Sequence, residues 1–416
     1  MNRVRARLDN FWLGVVNGAL VNAGEAFYHS GLVLAPFLAM LGAHPVVIGL
    51  VPAIRVGMWY IPQLMVANMV AHKTETLPVY HRTSFSRVSS LVVMTVAVFL
   101  AGAASNPIII AIVLGGITLN AIAGGIGGVP FADVTAKIVP HNRLGTFWAL
   151  RNSIGGALAL GAGFLLRYIL DSDIAFPTNF GIIFAIGTVI SALGYLAFSM
   201  VKEPPGIPGE RQPFIGVLRG IPALLKTDVN LRFFLSARFF GLAALLAEPF
   251  FAVYAINVLG APASIVGIWV IWTTLSTIVS NLIFRFPANR GSNVSLIRFG
   301  YVLFAAMGLS AFFISDWRIF FVVFMLTSAA NAAVSNAAQN ILYVLAPKGA
   351  RAMYIGLANT VLGIPALLPI VAGALVPFLG YRVLFVAAAA MAAIAFGFTL
   401  KLGGVKKADR AAAGRS

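Results

Sequence analysis

Gly18, Asn22, Glu25 and His29 are spaced by four, three and four residues in an otherwise apolar stretch, so on a helix they share one narrow stripe. Arg55 sits in the next apolar stretch. At 1.5 Å per helical residue, Glu25 lies ~24 Å along its segment from the end near Leu41, His29 ~18 Å, and Arg55 ~15 Å from the matching end of its own segment. A carboxylate and an imidazole so placed can both titrate, and a guanidinium can exchange partners with either. Two readings fit the spacing: an ion pair that fastens two helices, or a site for a solute or a proton. In hydrocarbon an ionisable group is costly enough that both readings turn the stripe toward protein or water.

Other candidates are weaker. Glu248 has a depth like that of Glu25 and is either a second site or a contact at a kink beside Pro249. Asp133 precedes Lys137 by four residues and lies near Arg143 and Arg151, which suits a cytoplasmic gate or a capping salt bridge. Ser328, Asn331, Ser335 and Gln339 are spaced by three, four and four among alanines, as either interhelical glue or a cavity lining. The glycine pairs at 115–116, 124–125 and 127–128 suit close packing, and no Lys-Ser/Thr follows them to make a phosphate cradle. The five histidines are scattered and there is no cysteine, so no metal, cofactor, disulfide or thiolate chemistry is expected, and an intramembrane enzyme lacks its nucleophile or base cluster.

The elements that must hold these residues are membrane helices. With 60% hydrophobic and 10% charged residues among 416, and a mean hydropathy of +0.93, the chain cannot cover itself with a water-facing surface. Twelve apolar segments of spanning length run near 11–41, 45–71, 83–104, 107–139, 146–170, 178–201, 230–259, 263–287, 293–315, 317–346, 351–378 and 380–402. All but four of the 29 Lys and Arg (Arg55, Arg167, Arg318 and Arg382) fall on one side of that topology. The bias places both termini in the cytoplasm and reads the net charge of +17 as topology signal and contact with anionic lipid headgroups, not as nucleic-acid binding. The N-terminal run is interrupted by Asn17, Asn22 and Glu25 and shows no cleavage pattern, so it is read as a retained first helix.

The segments also repeat. Leu41-Gly-Ala-His-Pro-Val-Val-Ile-Gly49 returns as Leu259-Gly-Ala-Pro-Ala-Ser-Ile-Val-Gly267 at an offset of 218, and Arg143 and Gly155 echo in Arg351 and Gly363 at an offset of 208. Residues 1–201 and 230–402 are thus two six-helix halves, joined by a Pro/Gly-rich cytoplasmic linker at 202–229 and followed by a basic tail at 403–416.

Twelve helices in a repeat of six, a basic central loop and both ends inside resemble the major facilitator superfamily over essentially the whole chain. The family's loop 2–3 signature is degenerate here: Asn68-Met-Val-Ala-His72-Lys73-Thr-Glu75-Thr keeps the basic position and loses both glycines and the aspartate. Gly155-Gly-Ala-Leu-Ala-Leu-Gly-Ala-Gly163 has the glycines of the drug-antiporter motif without its proline. The resemblance implies an all-α carrier of two pseudo-symmetric bundles, with a cavity lined by helices 1, 4, 7 and 10. A monomeric inner-membrane transporter of a small organic solute is then expected. Protons are the expected coupling ion, since Glu25, Glu248 and His29 titrate and no ATP-binding motif is present. A receptor or assembly factor on a carrier fold is the alternative. The sign of the cavity stays open, because embedded carboxylates outnumber embedded bases only if Asp133 is counted.

Overall fold

In the computed structural model, residues 2–70, 73–140, 143–206, 225–345, 354, 357, 358 and 361–405 are described. The chain is all-helical; among the described residues the only β feature is an isolated bridge between Ala101 and Ala104. Hydrocarbon offers the backbone no partner, so each crossing must satisfy its own amides and carbonyls, as a helix does. Eight of the described helical stretches are long and apolar enough to cross a membrane. Apolar side chains exposed at helical spacing, Val189, Leu193, Leu196 and Met200 among them, supply a lipid-facing surface, and the chain is an integral membrane protein.

The first segment is not one rod. Helix α1 (Asn2–Phe27) gives way to a π-turn at Ser30–Leu34 and then to α2 (Ala35–Met40). Then come α3 (Pro45–Val70), α4 (Leu77–Phe99), α5 (Asn106–Ile138), α6 (Leu144–Leu170) and α7 (Thr178–Ser199). The seventh segment breaks as the first does. There α8 (Val229–Ala243) passes through a 3-10 turn at Ala244–Ala247 into α9 (Glu248–Asn257). An offset of 218 carries His29 to Ala247 and Ser30 to Glu248, so the two interruptions are neighbours in the repeat, the 3-10 turn ending where the π-turn begins. The remaining helices are α10 (Ile265–Asn289), α11 (Asn293–Phe313), α12 (Phe321–Leu345) and α13 (Leu368–Leu400), the last bent at Gly380, where φ is 72°.

Geometry explains why the nonapeptide repeat keeps its glycines. Gly42 and Gly260 hold φ of 79° and 72°, the left-handed conformation that ends a helix without penalty only when Cβ is absent. Gly49 and Gly267 serve close packing: a Cβ on Gly49 would strike the carbonyl of Pro369, and one on Gly267 the carbonyl of Gly163 and the backbone of Arg167.

The chain forms two compact units, one of Met1–Ala43, Ile54–Phe214 and Ala263–Ile271, the other of His44–Ala53, Ile215–Pro262 and Trp272–Ser416. In the first, Phe37 packs with Phe176, Phe180 and Phe184, while Tyr80, Phe131 and Phe198 fill the opposite region. In the second, Phe251, Tyr254, Phe320, Phe324 and Phe385 form the aromatic core.

One buried carboxylate sets where α4 begins. Glu203, with its side chain only 3% exposed, accepts from the amides of Thr76 at 2.9 Å and Leu77 at 2.7 Å. Those amides are orphaned at a helix start, and Pro78 fits the first turn. Lys137 pairs with Glu203 and with Asp133, each at 2.7 Å, and the Thr76 hydroxyl donates to Asp133 at 2.7 Å. Replacing Glu203 by Ala leaves two helix-start amides without their acceptor and the half-buried Lys137 ammonium with Asp133 as its remaining carboxylate, and should lower stability by about 1–2 kcal/mol, read as the shift in thermal unfolding of the detergent-solubilised protein.

Candidate functional site

The interruption after α1 leaves a carbonyl without an intrahelical partner, and α3 supplies one. Arg55 donates through Nη1 to the carbonyl oxygen of Tyr28 and through Nη2 to Oε2 of Glu25. His29 caps the π-turn, its Nδ1 accepting from the Leu32 amide at 3.2 Å. The imidazole of the sequence stripe thus helps to hold the break that positions Tyr28 and Glu25.

Arg87 of α4 completes the cluster, its Nη2 lying 3.7 Å from Oε1 of Glu25. Its guanidinium lies over Tyr195 at 4.6 Å and Trp59 at 5.6 Å, and donates through Nη2 to Oδ1 of Asn120 at 3.5 Å. Gly124 makes the room, since a Cβ there would meet the Trp59 ring. The side chains of Arg87, Arg55 and Glu25 are 13%, 26% and 40% exposed, so the carboxylate is the most open member. The Nε of Arg87 is buried and has no hydrogen-bond partner among the described residues.

Around this cluster the first unit has an open-sided cavity, bounded by Tyr28, Trp59, Asn120 and Tyr195 as well as the three charged side chains. A second, larger cavity, also open-sided, shares Glu25, Arg55, Trp59, Arg87 and Tyr195 and reaches Arg151. Arg151 donates to Asn17 Oδ1 at 2.8 Å and lies over Phe131 and Trp148 at 4.7 and 5.5 Å. Tyr28 is held by a bond from its hydroxyl to the Phe184 carbonyl at 2.7 Å and by Thr188 at 2.6 Å. Three guanidiniums therefore face one carboxylate across the joined cavities. The sign that composition left open is positive.

The predicted site residues separate. Glu25, His29 and Arg55 come together as described, whereas Asn22 turns to α6, bonding Asn152 at 3.5 Å and packing on Gly155. Asp133 pairs with Lys137, which also pairs with Glu203; Arg143 is exposed at the start of α6, and Arg151 belongs to the cavity. Asn340, repeat partner of Asp133, bonds Asn293 at 3.0 Å, so both residues tie their helix to the start of the preceding one. Glu248 lies in the other unit at the start of α9 beside Pro249. Asn331 is half-buried and Ser335 exposed on α12; the side chain of Gln339, like those of Tyr60 and His72, lies outside the described residues.

Spacing missed Arg87, Asn17, Asn120, Tyr195 and Glu203. Arg87 was counted with the cytoplasmic charges because the apolar run begins at residue 83, which puts Arg87 at a helix mouth. The Glu203 cap starts α4 at Leu77 instead and carries Arg87 ~15 Å inward. Ser84, Ser90 and Asn120 around it were the available signal: a polar face inside an apolar helix pair.

No protein-family model and no curated protein matches the chain. Solved structures do. A bacterial homologue of the iron transporter ferroportin superposes with a TM-score of 0.71 over 96% of this chain and 98% of that one, at 14% identity. The D-xylose-proton symporter gives 0.71 over 96% and 99%, at 15% identity, and the nucleoside transporter NupG 0.70 over 96% and 100%, at 13%. The chain has the major facilitator fold. At these identities the likeness is one of fold, and the chemistry must come from this chain's own residues.

In this major facilitator fold one forked donor, Arg55, ties α3 to the first segment at two points. Arg55→Lys keeps the charge but gives up the planar fork that serves Tyr28 and Glu25 together. The expected result is a loss of about 1–3 kcal/mol in thermal stability, with faster hydrogen exchange at residues 29–35, while an Arg55 that only balanced charge would tolerate lysine.

Proposed function

We propose that the chain is a secondary active transporter that moves a small organic solute across a bacterial inner membrane by alternating access, with protons as the coupling ion and Glu25 as the group that carries them. The observation that carries this reading is the Glu25–Arg55–Arg87 cluster: an ionisable network in a cavity of a membrane protein, with its carboxylate the most open member. The fold adds support, because the similar structures are of transporters with different cargoes and one is described as a proton symporter.

In this reading the halves are 1–201 and 230–402, and the crossings number twelve. The broken first and seventh segments count once each, and the stretch 361–400 counts twice because Gly380 divides it. Both termini and the stretch 202–229 face the cytoplasm, as the Lys and Arg distribution requires. Reporters fused at Met1 and Ser416 should therefore both give cytoplasmic signals; an external signal from either would overturn the topology.

Coupling is tested with proteoliposomes that enclose a pH-sensitive dye. When a transported solute is added, the wild type should change internal pH, and Glu25→Gln should abolish that change while retaining solute exchange at equal concentrations on both sides, since the amide keeps shape but cannot exchange a proton. Solute-driven proton flux that survives in Glu25→Gln would remove Glu25 from the coupling role.

A further inference from the structure

The residues around Glu25 identify what should replace it, and this step rests on the carrier reading above. We propose that the cavity of the first unit binds an organic anion, a carboxylate carried on an apolar or aromatic body, which takes Arg87 and Arg55 from Glu25, so that each anion enters together with one proton.

Four observations converge. The joined cavities hold Arg55, Arg87 and Arg151 against Glu25 alone, an excess of positive charge that one further anion would reduce. Arg87 is incompletely used: its Nε is buried without a partner, its Asn120 contact is at 3.5 Å, and its distance to Glu25 is 3.7 Å. An unmade hydrogen bond on a buried guanidinium is unfavourable, and a carboxylate can take Nε and one Nη side by side. The walls supply the rest of the pocket, since Trp59 and Tyr195 flank the guanidinium and Leu91, Met94 and Ile117 line the same space. Finally, Glu25 already occupies part of the anion position as an internal carboxylate.

That last point connects binding to proton uptake. The groups facing Glu25 are Arg55 of α3, Arg87 of α4 and His29 of its own segment, with Tyr28, Tyr195 of α7 and Asn120 of α5 around them. When a solute carboxylate bonds the guanidiniums, Glu25 loses the partners that stabilise its charge, and a proton from the aqueous side adds to a carboxylate oxygen. No other bond forms or breaks. Both arginines stay protonated, the solute contributes one negative charge, and Glu25 loses one. The loaded cavity therefore has the net charge of the empty one, so transport of a monoanion responds to a pH gradient and not to membrane voltage.

The test uses full-length protein in lipid nanodiscs with phenylacetate, indole-3-acetate and 4-hydroxybenzoate, each beside its neutral amide. Carboxylates should raise the melting temperature and their amides should not, because only ligand that prefers the folded state shifts the transition. Arg87→Gln should weaken carboxylate binding by about 30-fold or more. Glu25→Gln, which removes the internal competitor, should tighten it by roughly tenfold and flatten its dependence on pH. Should Arg87→Gln fail to fold, Arg87→Lys keeps the charge without the fork and should give an intermediate affinity. Equal stabilisation by amides, no stabilisation by any of the three carboxylates, or a Glu25→Gln protein that binds them more weakly would each overturn the anion site. The carrier reading fails separately: carboxylates that bind as expected yet never cross proteoliposomes leave the anion site standing without transport, and proton-coupled movement of a neutral or cationic solute leaves transport standing without the anion site.

Discussion

A broken helix in a bilayer must find partners for the carbonyls it releases, and the first segment finds one in Arg55. The guanidinium that covers the Tyr28 carbonyl also holds Glu25, so the backbone defect and the charge network are one structure. Neither survives alone. Without the break, Tyr28 would offer Arg55 no backbone acceptor; without Glu25, a cation would face the cavity with that carbonyl as its remaining named partner. This is why a functional residue and a structural residue cannot be told apart at position 55, and why His29, on the same stripe as Glu25, is spent on capping the turn.

The network at the other end of α4 shows how a distant residue can set a site. Glu203 lies more than a hundred positions beyond the amides it caps, yet its bonds to Thr76 and Leu77 decide where α4 starts and hence how deep Arg87 lies. Local propensity carries no trace of such a cap, because the partner is neither adjacent nor at a helical spacing.

That difference marks what could be read from the sequence. The all-helical membrane character and the association of Glu25 with Arg55 follow from hydropathy and depth, which are one-dimensional quantities, whereas the break in the first segment left no such trace and only Pro249 hinted at a kink in the seventh. Arg87 was hidden by the same rule that placed the loops, and Arg151 was assigned to a cytoplasmic gate: charge bias treats each arginine near a helix end as a surface signal, and only packing shows that one lies beside Trp59 and Tyr195 and the other over Phe131. Asn22 was misdirected for a related reason. A stripe spaced by three and four still spans enough arc for Asn22 to face Gly155 while Glu25 faces Arg55.

The two halves have kept different parts of their common plan. The glycines at 42 and 260 and at 49 and 267 perform matching tasks, while the offset that relates them takes Glu25 to Ala243 and Arg55 to Thr273. After a gene duplication, both copies of a turn or a helix crossing remain under steric selection, since a methyl group in either place is obstructive. A partly desolvated ion pair is held differently: once one copy suffices, the other can drift to alanine and threonine and is relieved of desolvating its charges. The asymmetry of the charges is thus what a repeat shows when backbone geometry is constrained at both positions and chemistry at only one.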